Sequence, residues 1–426
     1  MLDIAFIRNN PEVVKEGVRK KRMKVDIDEL LAADNDMRRL KTEVETLRAD
    51  RNRISKDVSK SSGPERDKLI QQIKFIKDGL TDKEPKLKEL EERFEQLMLF
   101  VPNPPLPYVP EGDSDEDNVL IRKVGQIPQF DFIPKDHLEL AESLDIVDMP
   151  RAVKFSGARM YFLKNEGALL EFALFKFALD HLASKGFQPM IVPQLVRREA
   201  MVGTGFFPLG EEDTFFVSKD DLYLVGTAEV SLVSYHMDEI LSESELPKRY
   251  CGYSTCFRRE AGSYGRDTKG FYRLHQFNKV EQVVICENDP EVSMREHKLL
   301  LENSEEIMQA LGLPYRVALA CTGEIGQGQV LKHEIETWMP SRGKYSETHS
   351  CSSLHEFQSR RLRIRYRGSD GKTKPCHTLN NTAVASPRIM IPILENFQNA
   401  DGSVTIPEVL RPLMRGMERI EPKNSK

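Results

Sequence analysis

Four short segments of this sequence carry side chains suited to a polyphosphate and a purine ring. Phe257-Arg258-Arg259-Glu260 is followed, after a Gly-rich loop, by Arg273-Leu274-His275-Gln276-Phe277. Far downstream come Ala385-Ser386-Pro387-Arg388 and Leu394-Glu395-Asn396. Arginine supplies a planar, permanently charged fork for phosphate oxygens. Phenylalanine supplies a stacking face, and a glutamate can accept a hydrogen bond from an exocyclic amine. Arg258, Glu260, Arg273 and Phe277 on flanking extended segments, with Arg388 opening a helix, therefore read as a site for ATP. Glu347 and Ser350, three residues apart, offer a carboxylate and a hydroxyl to Mg²⁺, which prefers oxygen ligands and would also hold phosphate. Taken alone, Glu347 reads equally well as half of a structural ion pair.

Other chemistries are disfavoured. The sequence has no GxGxxG and no GxxxxGK[ST], which argues against dinucleotide-fold and P-loop sites. The six cysteines show no CxxC pair and read as reduced thiols. Cys351, Cys376, His349, His355 and His377 could suggest zinc, but their spacing matches no common finger. Buried thiols and site-lining imidazoles are the better reading.

The elements that must position these residues are legible from periodicity. Residues 167–183 and 290–311 have helical patterns, and 280–286 is a β-rich run. Together they predict an α+β body, an antiparallel sheet flanked by helices. Upstream, Leu30, Ala33, Met37, Leu40, Val44, Leu47, Arg51, Ile54 and Val58 alternate in threes and fours. A second run, Leu69, Ile73, Ile76, Leu80, Lys83, Leu87, Leu90, Phe94, Leu97 and Val101, keeps the same seam. Ser59-Lys60-Ser61-Ser62-Gly63-Pro64 stops the first helix, so the pair must fold back as an antiparallel coiled coil, an arm roughly 45 Å long. Arg51 and Lys83 weaken the seam toward the tip, and Pro85 predicts a kink or break in the second helix.

Between Arg51 and Lys77 the arm carries Arg51, Arg53, Lys56, Lys60, Arg66, Lys68, Lys74 and Lys77 against Asp57, Glu65 and Asp67, eight basic residues to three acidic and a local net charge of +5. The whole chain of 426 residues has a net charge of -5, so this basic surface is local. A heptad hairpin by itself is more often structural, but a basic rod suits the phosphates and sugars of an A-form helix. Five prolines within residues 101–110 form a stiff, extended linker. The expected domains are 1–104, which carries the helical coiled-coil arm, and 105–426, which carries the candidate ATP site. The charged N-terminus and the lack of an 18-residue apolar run predict a cytoplasmic chain with no membrane partner.

The segments around Arg258 and Arg388 resemble the second and third signature motifs of class II aminoacyl-tRNA synthetases, and the wider phrasing is similar to the seryl-tRNA synthetase family. The matching phrases are Ser156-Gly157-Ala158-Arg159-Met160-Tyr161-Phe162, Thr227-Ala228-Glu229, Arg258-Arg259-Glu260-Ala261-Gly262, Arg273 to Gln282, Glu347-Thr348-His349-Ser350-Cys351-Ser352 and Phe357-Gln358-Ser359-Arg360-Arg361. They fall in order along nearly the whole chain. The resemblance implies activation of serine by ATP and transfer of the seryl group to the 3' end of tRNA(Ser), with tRNA(Sec) a second candidate acceptor. It also implies that 1–104 is a tRNA-binding domain and 105–426 a catalytic domain.

By the same resemblance, Arg258 bridges the amino-acid carboxylate and the α-phosphate, Glu260 takes the adenine amine, Phe277 stacks on adenine, and Arg273 and Arg388 hold the terminal phosphates. Thr227, Glu229, Glu281, Asn380 and Thr382 surround the serine, and the basic arm grips the long variable arm of the tRNA. Residues 167–193 look like the first motif, which implies a homodimer.

The sequence departs from the family pattern in two places. Asn381-Thr382 stands where many bacterial members carry Gly-Ser, keeping the hydroxyl with one extra methyl. Ser353-Leu354 replaces the usual Asn-Cys, which puts one expected hydrogen bond in doubt. Two other readings stay open at this stage: an activating enzyme that passes its adenylate to another acceptor, and a non-catalytic RNA-binding paralogue. The intact arm speaks against the first. The presence of Arg258, Glu260, Arg273, Glu281, Glu347 and Arg388 speaks against the second.

Overall fold

A computed structural model describes residues 1–261 and 270–423. The Gly-rich loop after Glu260, including Gly262 of the second motif, lies outside the described residues. The chain divides into two compact units, Met1–Pro104 and Pro105–Lys426.

The first unit holds two short helices, α1 (Ile4–Asn9) and α2 (Pro11–Lys20), and the hairpin of α3 (Ile27–Val58) and α4 (Pro64–Phe100). Asp26 starts α3 by accepting from the Asp28 and Glu29 amides at 2.8 and 3.1 Å, satisfying donors that have no partner within the helix. Gly63 turns the chain at φ 62°, a region costly for a residue with a Cβ, and Pro64 opens α4 with the preset φ of a first helical position. The predicted seam is present: Val44, Ile76, Leu80 and Leu87 are buried against Met37, Leu40, Leu47 and Ile54. Each fully buried aliphatic side chain stabilises the hairpin by about 1.5–3 kcal/mol.

Toward the tip Arg51, Ile54, Val58 and Leu69 are only half-buried, as the weakened pattern predicts. Lys83, a seam position, instead forms an ion pair with Glu43 of α3. The helix runs through Pro85 without a break. Leu80 and Leu87 on either side of the proline are both buried in the seam, so packing against α3 outweighs the one backbone bond that proline cannot make. At the base, Arg8 donates Nε and Nη2 to the two oxygens of the buried Asp34 carboxylate, each at 2.7 Å, tying α1 to α3.

The second unit is built on an eight-stranded sheet of β1 (Val119–Val124), β2 (Gln188–Ile191), β3 (Lys248–Phe257), β4 (Gln276–Cys286), β5 (Tyr315–Leu319), β6 (Leu331–Met339), β7 (Lys344–His355) and β8 (His377–Ser386). Their order across the sheet is β1-β5-β6-β7-β8-β4-β3-β2, antiparallel except for the parallel edge pair β3 and β2. The flanking helices are α5 (Asn165–Ser184), α6 (Ala228–Ser234), α7 (Pro290–Ala310) and α8 (Met390–Asn396).

Along β4 the side chains alternate. Val280, Val284 and Cys286 join the main core with residues of α5 and α7 such as Leu174 and Leu300. On the other face Val283 and Ile285 pack with Ala228 and Leu232 of α6. Phe277, Lys279 and Glu281 share that second face and are left for the site. All six cysteines are buried and unpaired with one another, and no described helix is long and apolar enough to cross a membrane.

Candidate active site

One pocket of the second unit is lined by Arg258, Glu260, Arg273, Phe277, Glu347, Ser350, Thr382 and Arg388, together with Tyr272 and Lys279. Every side chain expected to hold ATP or a divalent ion therefore faces one space. Arg258 leaves β3 on the same face as Phe277, its guanidinium 5.2 Å from the Phe277 ring centroid, while its Nε donates to the Gly226 carbonyl at 3.3 Å. This fixes a cation beside an aromatic face. Arg273 donates to Glu260 at 3.1 Å, and Arg159 approaches the same carboxylate at 3.9 Å.

Two β-bulges shape the pocket floor. In β7 the register against β6 shifts so that Glu336 faces Glu347 while Glu334 faces Ser350. Glu334 and Glu336 are two apart and share a face, so Glu347 and Ser350 share it too. A regular strand would have placed residues three apart on opposite faces. In β8 a second bulge pairs Thr382 with Glu281 and Ala385 with Lys279, so both line the same face.

Burial by itself would raise the Glu347 carboxyl. The charges of Lys332, Arg388, Arg258 and Arg273 nevertheless hold it below the usual carboxylate range, so it stays ionised. An ionised carboxylate and a hydroxyl on one face form an oxygen donor set that fits Mg²⁺. Arg388, in the turn before α8, lies 3.8 Å from Glu347 and within 4.4 Å of the Tyr272 ring centroid. Arg342 lies over that ring at 4.2 Å, and the Tyr272 hydroxyl donates to the Glu347 carbonyl at 2.7 Å.

The residues expected around serine meet at the other end of the same face. Gly252 of β3 is opposite Glu281, and a Cβ there would lie 2.8 Å from Leu232 of α6. The bare backbone lets α6 close onto the sheet beside Glu281. Thr227 is buried and caps α6, accepting from the amide of the half-buried Glu229 at 3.3 Å. Glu229 is pushed up to about 7, first by burial and then by the charge of Glu281. Gln358 donates to Glu229 at 2.7 Å and accepts from Thr378 of β8 at 2.7 Å. Asn380 and Thr382 are on the Thr378 face of β8 and are buried. Glu281 is not free: Lys279, two residues away on the same face, forms an ion pair with it.

Sequence reasoning assigned no role to Lys279, Tyr272, Arg342, Gln358 or Arg159. The signals were present for Lys279 and Tyr272, which sit inside or beside the second motif, and for Gln358 and Arg159, which stand in matched phrases. Of the departures, Ser353 and Leu354 are both buried, and the Ser353 carbonyl accepts from the Val330 amide at 2.8 Å.

The comparisons with known proteins match both ends of the chain. Residues 1–105 match the model of the seryl-tRNA synthetase N-terminal domain, and residues 215–397 match that of the class II tRNA synthetase core domain for glycine, histidine, proline, serine and threonine. The serine--tRNA ligase of Deinococcus radiodurans is 49% identical over 98% of each chain. The chain belongs to the seryl-tRNA synthetase family. The same likeness holds in three dimensions. The seryl-tRNA synthetase of Pyrococcus horikoshii, solved with ATP, is 39% identical with a TM-score of 0.92 over the whole of both chains. The cytoplasmic serine-tRNA ligase of Naegleria fowleri, solved with AMP, is 31% identical with a TM-score of 0.87, covering 100% of this chain and 99% of that one. The expected fold, a coiled-coil arm followed by an α+β synthetase body, is the observed one.

Proposed function

We propose that this member of the family activates serine with ATP to seryl-adenylate and pyrophosphate, then transfers the seryl group to the 3' end of tRNA(Ser). The observation that carries the reading is the convergence of three arginines, Phe277, Glu260 and the Glu347–Ser350 pair on one pocket, which Thr382 of the expected serine set also lines. In the first step a serine carboxylate oxygen attacks the α-phosphorus, and the bond to the pyrophosphate oxygen breaks. In the second a terminal ribose hydroxyl of the tRNA attacks the carbonyl carbon, and AMP leaves. Neither step needs a protein nucleophile, so catalysis rests on orientation and charge stabilisation.

In this reading Arg258 spans the serine carboxylate and the α-phosphate, and its contacts with Phe277 and Gly226 hold it there. Phe277 stacks on adenine, Glu260 accepts from the exocyclic amine, and Arg273 and Arg388 take the terminal phosphates. Glu347 and Ser350 would hold Mg²⁺, which supplies neutralisation of the phosphate charge. Thr227, Glu229 and Glu281 receive the ammonium, while Thr382 and Asn380 meet the hydroxyl. A site that bonds a hydroxyl rejects analogues lacking it by up to about 10⁴–10⁵.

The proposal extends to partners and place. Arg53, Lys56, Lys60, Arg66, Lys68, Lys74 and Lys77 are exposed on the hairpin and Arg51 is half-buried, a surface suited to tRNA phosphates. A homodimer is supported by bare apolar surface around α5 and the sheet edge, where Phe172 is 68% and Ile191 85% exposed. The cytoplasm is the proposed location, one where translation takes place. Serine-dependent exchange of pyrophosphate into ATP tests the first step: exchange with serine, and little with alanine or glycine, is expected, and exchange independent of serine would overturn the reading.

A further inference from the structure

On the distal half of the hairpin one aromatic side chain is left almost bare. Phe75 of α4 is 80% exposed although its neighbour Ile76 is buried in the seam. Phe75 falls outside the Leu69, Ile73, Ile76, Leu80 spacing, so closing the hairpin does not account for it. An open groove of about 530 Å³ lies beside the ring, lined by Asp50, Arg53 and Ile54 of α3 and Lys68, Gln71, Gln72, Phe75 and Ile76 of α4. Gln71 and Phe75 are one helical turn apart, as are Lys68 and Gln72, so amides and a cation stand in the row beside the ring. Asp50 holds Arg53 at 2.8 Å, one turn away on α3.

We propose that this groove binds an unstacked base of the tRNA. Phe75 stacks on the base, the Gln71 and Gln72 amides bond to its edge, and Lys68 meets a flanking phosphate. The inference rests on the reading of the hairpin as the tRNA-binding arm and gives that arm something phosphate contacts lack, a preference for where a base is splayed out. The chemistry of the groove decides its occupant. A helix or peptide docking by apolar burial needs contiguous apolar surface. Here a single bare ring stands among two amides, Lys68 and the Arg53–Asp50 pair, with Ile54 half-buried and Ile76 buried, and residues 51–77 around it carry a net charge of +5, which suits a polyanion carrying π-faces.

The test uses the full-length protein and a tRNA(Ser) transcript, with the variants F75A, F75W and K68E. Serine-dependent ATP/pyrophosphate exchange, a reaction that contains no tRNA, normalises each preparation for active protein. F75A is expected to raise the KM for tRNA about 5- to 150-fold, the range for losing one base stack, with an unchanged slope of log KM against log salt. F75W is expected to restore the parent value. K68E should weaken binding and make the salt slope shallower. If F75A stays within twofold of the parent while K68E weakens binding, base stacking is refuted and the arm still binds tRNA. If neither variant changes the KM, both the groove and the arm reading fall. If F75A instead changes the sedimentation mass, the ring is a protein contact and the proposal is wrong.

Discussion

Tyr272 is a positioning residue whose removal should disable the site without touching substrate. Its ring lies under the guanidinium of Arg388 at 4.4 Å and of Arg342 at 4.2 Å, and its hydroxyl is bonded to the Glu347 carbonyl. A largely desolvated cation–π contact is worth about 1–2 kcal/mol. If Arg388 loses its platform, part of a charge-assisted phosphate contact, worth about 1.5–3 kcal/mol, goes with it. Tyr272→Leu should therefore cost about 2–4 kcal/mol in kcat/KM for ATP, about 30- to 1000-fold. Tyr272→Phe keeps the ring and loses one hydrogen bond of about 1 kcal/mol, roughly a fivefold effect. The assay is serine-dependent pyrophosphate exchange with ATP titrated at saturating serine, and a thermal melt of each variant to separate activity from folding. The reasoning is refuted if the leucine variant remains within threefold of the parent, or if the phenylalanine variant is as damaged as the leucine one.

Three other outcomes follow from the same geometry. Glu281→Ala should abolish serine activation, by about 100-fold or more, because it removes the buried carboxylate that meets the ammonium and leaves Lys279 unpaired; near-normal exchange would show that Glu281 is not in the serine pocket. Glu229 has a folded value of about 7 against an ordinary 4.5, so its contribution to stability is complete below about pH 4.5 and is lost as the pH rises toward 7. Glu229→Gln should flatten the fall of melting temperature between pH 5 and 8, though not abolish it, since burial also pushes Glu334 up to about 7; an unchanged slope would contradict the assignment. Leu47 and Gly79 stand side by side across the hairpin, so replacing the residues between them with a short Gly/Ser linker should remove tRNA charging and leave pyrophosphate exchange within about twofold. Equal loss of both would refute the division of labour between the arm and the body.

What the sequence made legible depended on period. The seam of α3 and α4 and the helices α5 and α7 follow periods of 3.5 or 3.6, β4 contains a β-rich run, and each appears where its pattern lies. The arginines, Phe277 and Glu260 were legible because their chemistry is unusual at that spacing. The bulges at Glu347 and Thr382 were not, because one inserted residue reverses the face of everything beyond it and leaves no compositional mark. Glu347 and Ser350 could be named as a pair, but a regular strand would have separated them. The contact of Glu229 with Gln358 joins residues 129 positions apart, and no local pattern encodes it. The Lys279–Glu281 ion pair was open to inspection, since residues two apart on a strand share a face, yet it was missed. The break expected at Pro85 does not occur for a different reason: the local cost of proline is real, but the helix is held by buried leucines on both sides.

The most direct test of the account is the charging of bulk tRNA by the purified protein with labelled serine, ATP and Mg²⁺, beside alanine, threonine and glycine. Charging with serine and not with the other three is the predicted result. No charging by folded protein with tRNA from a matching source, or charging with alanine or glycine at a comparable rate, would contradict it.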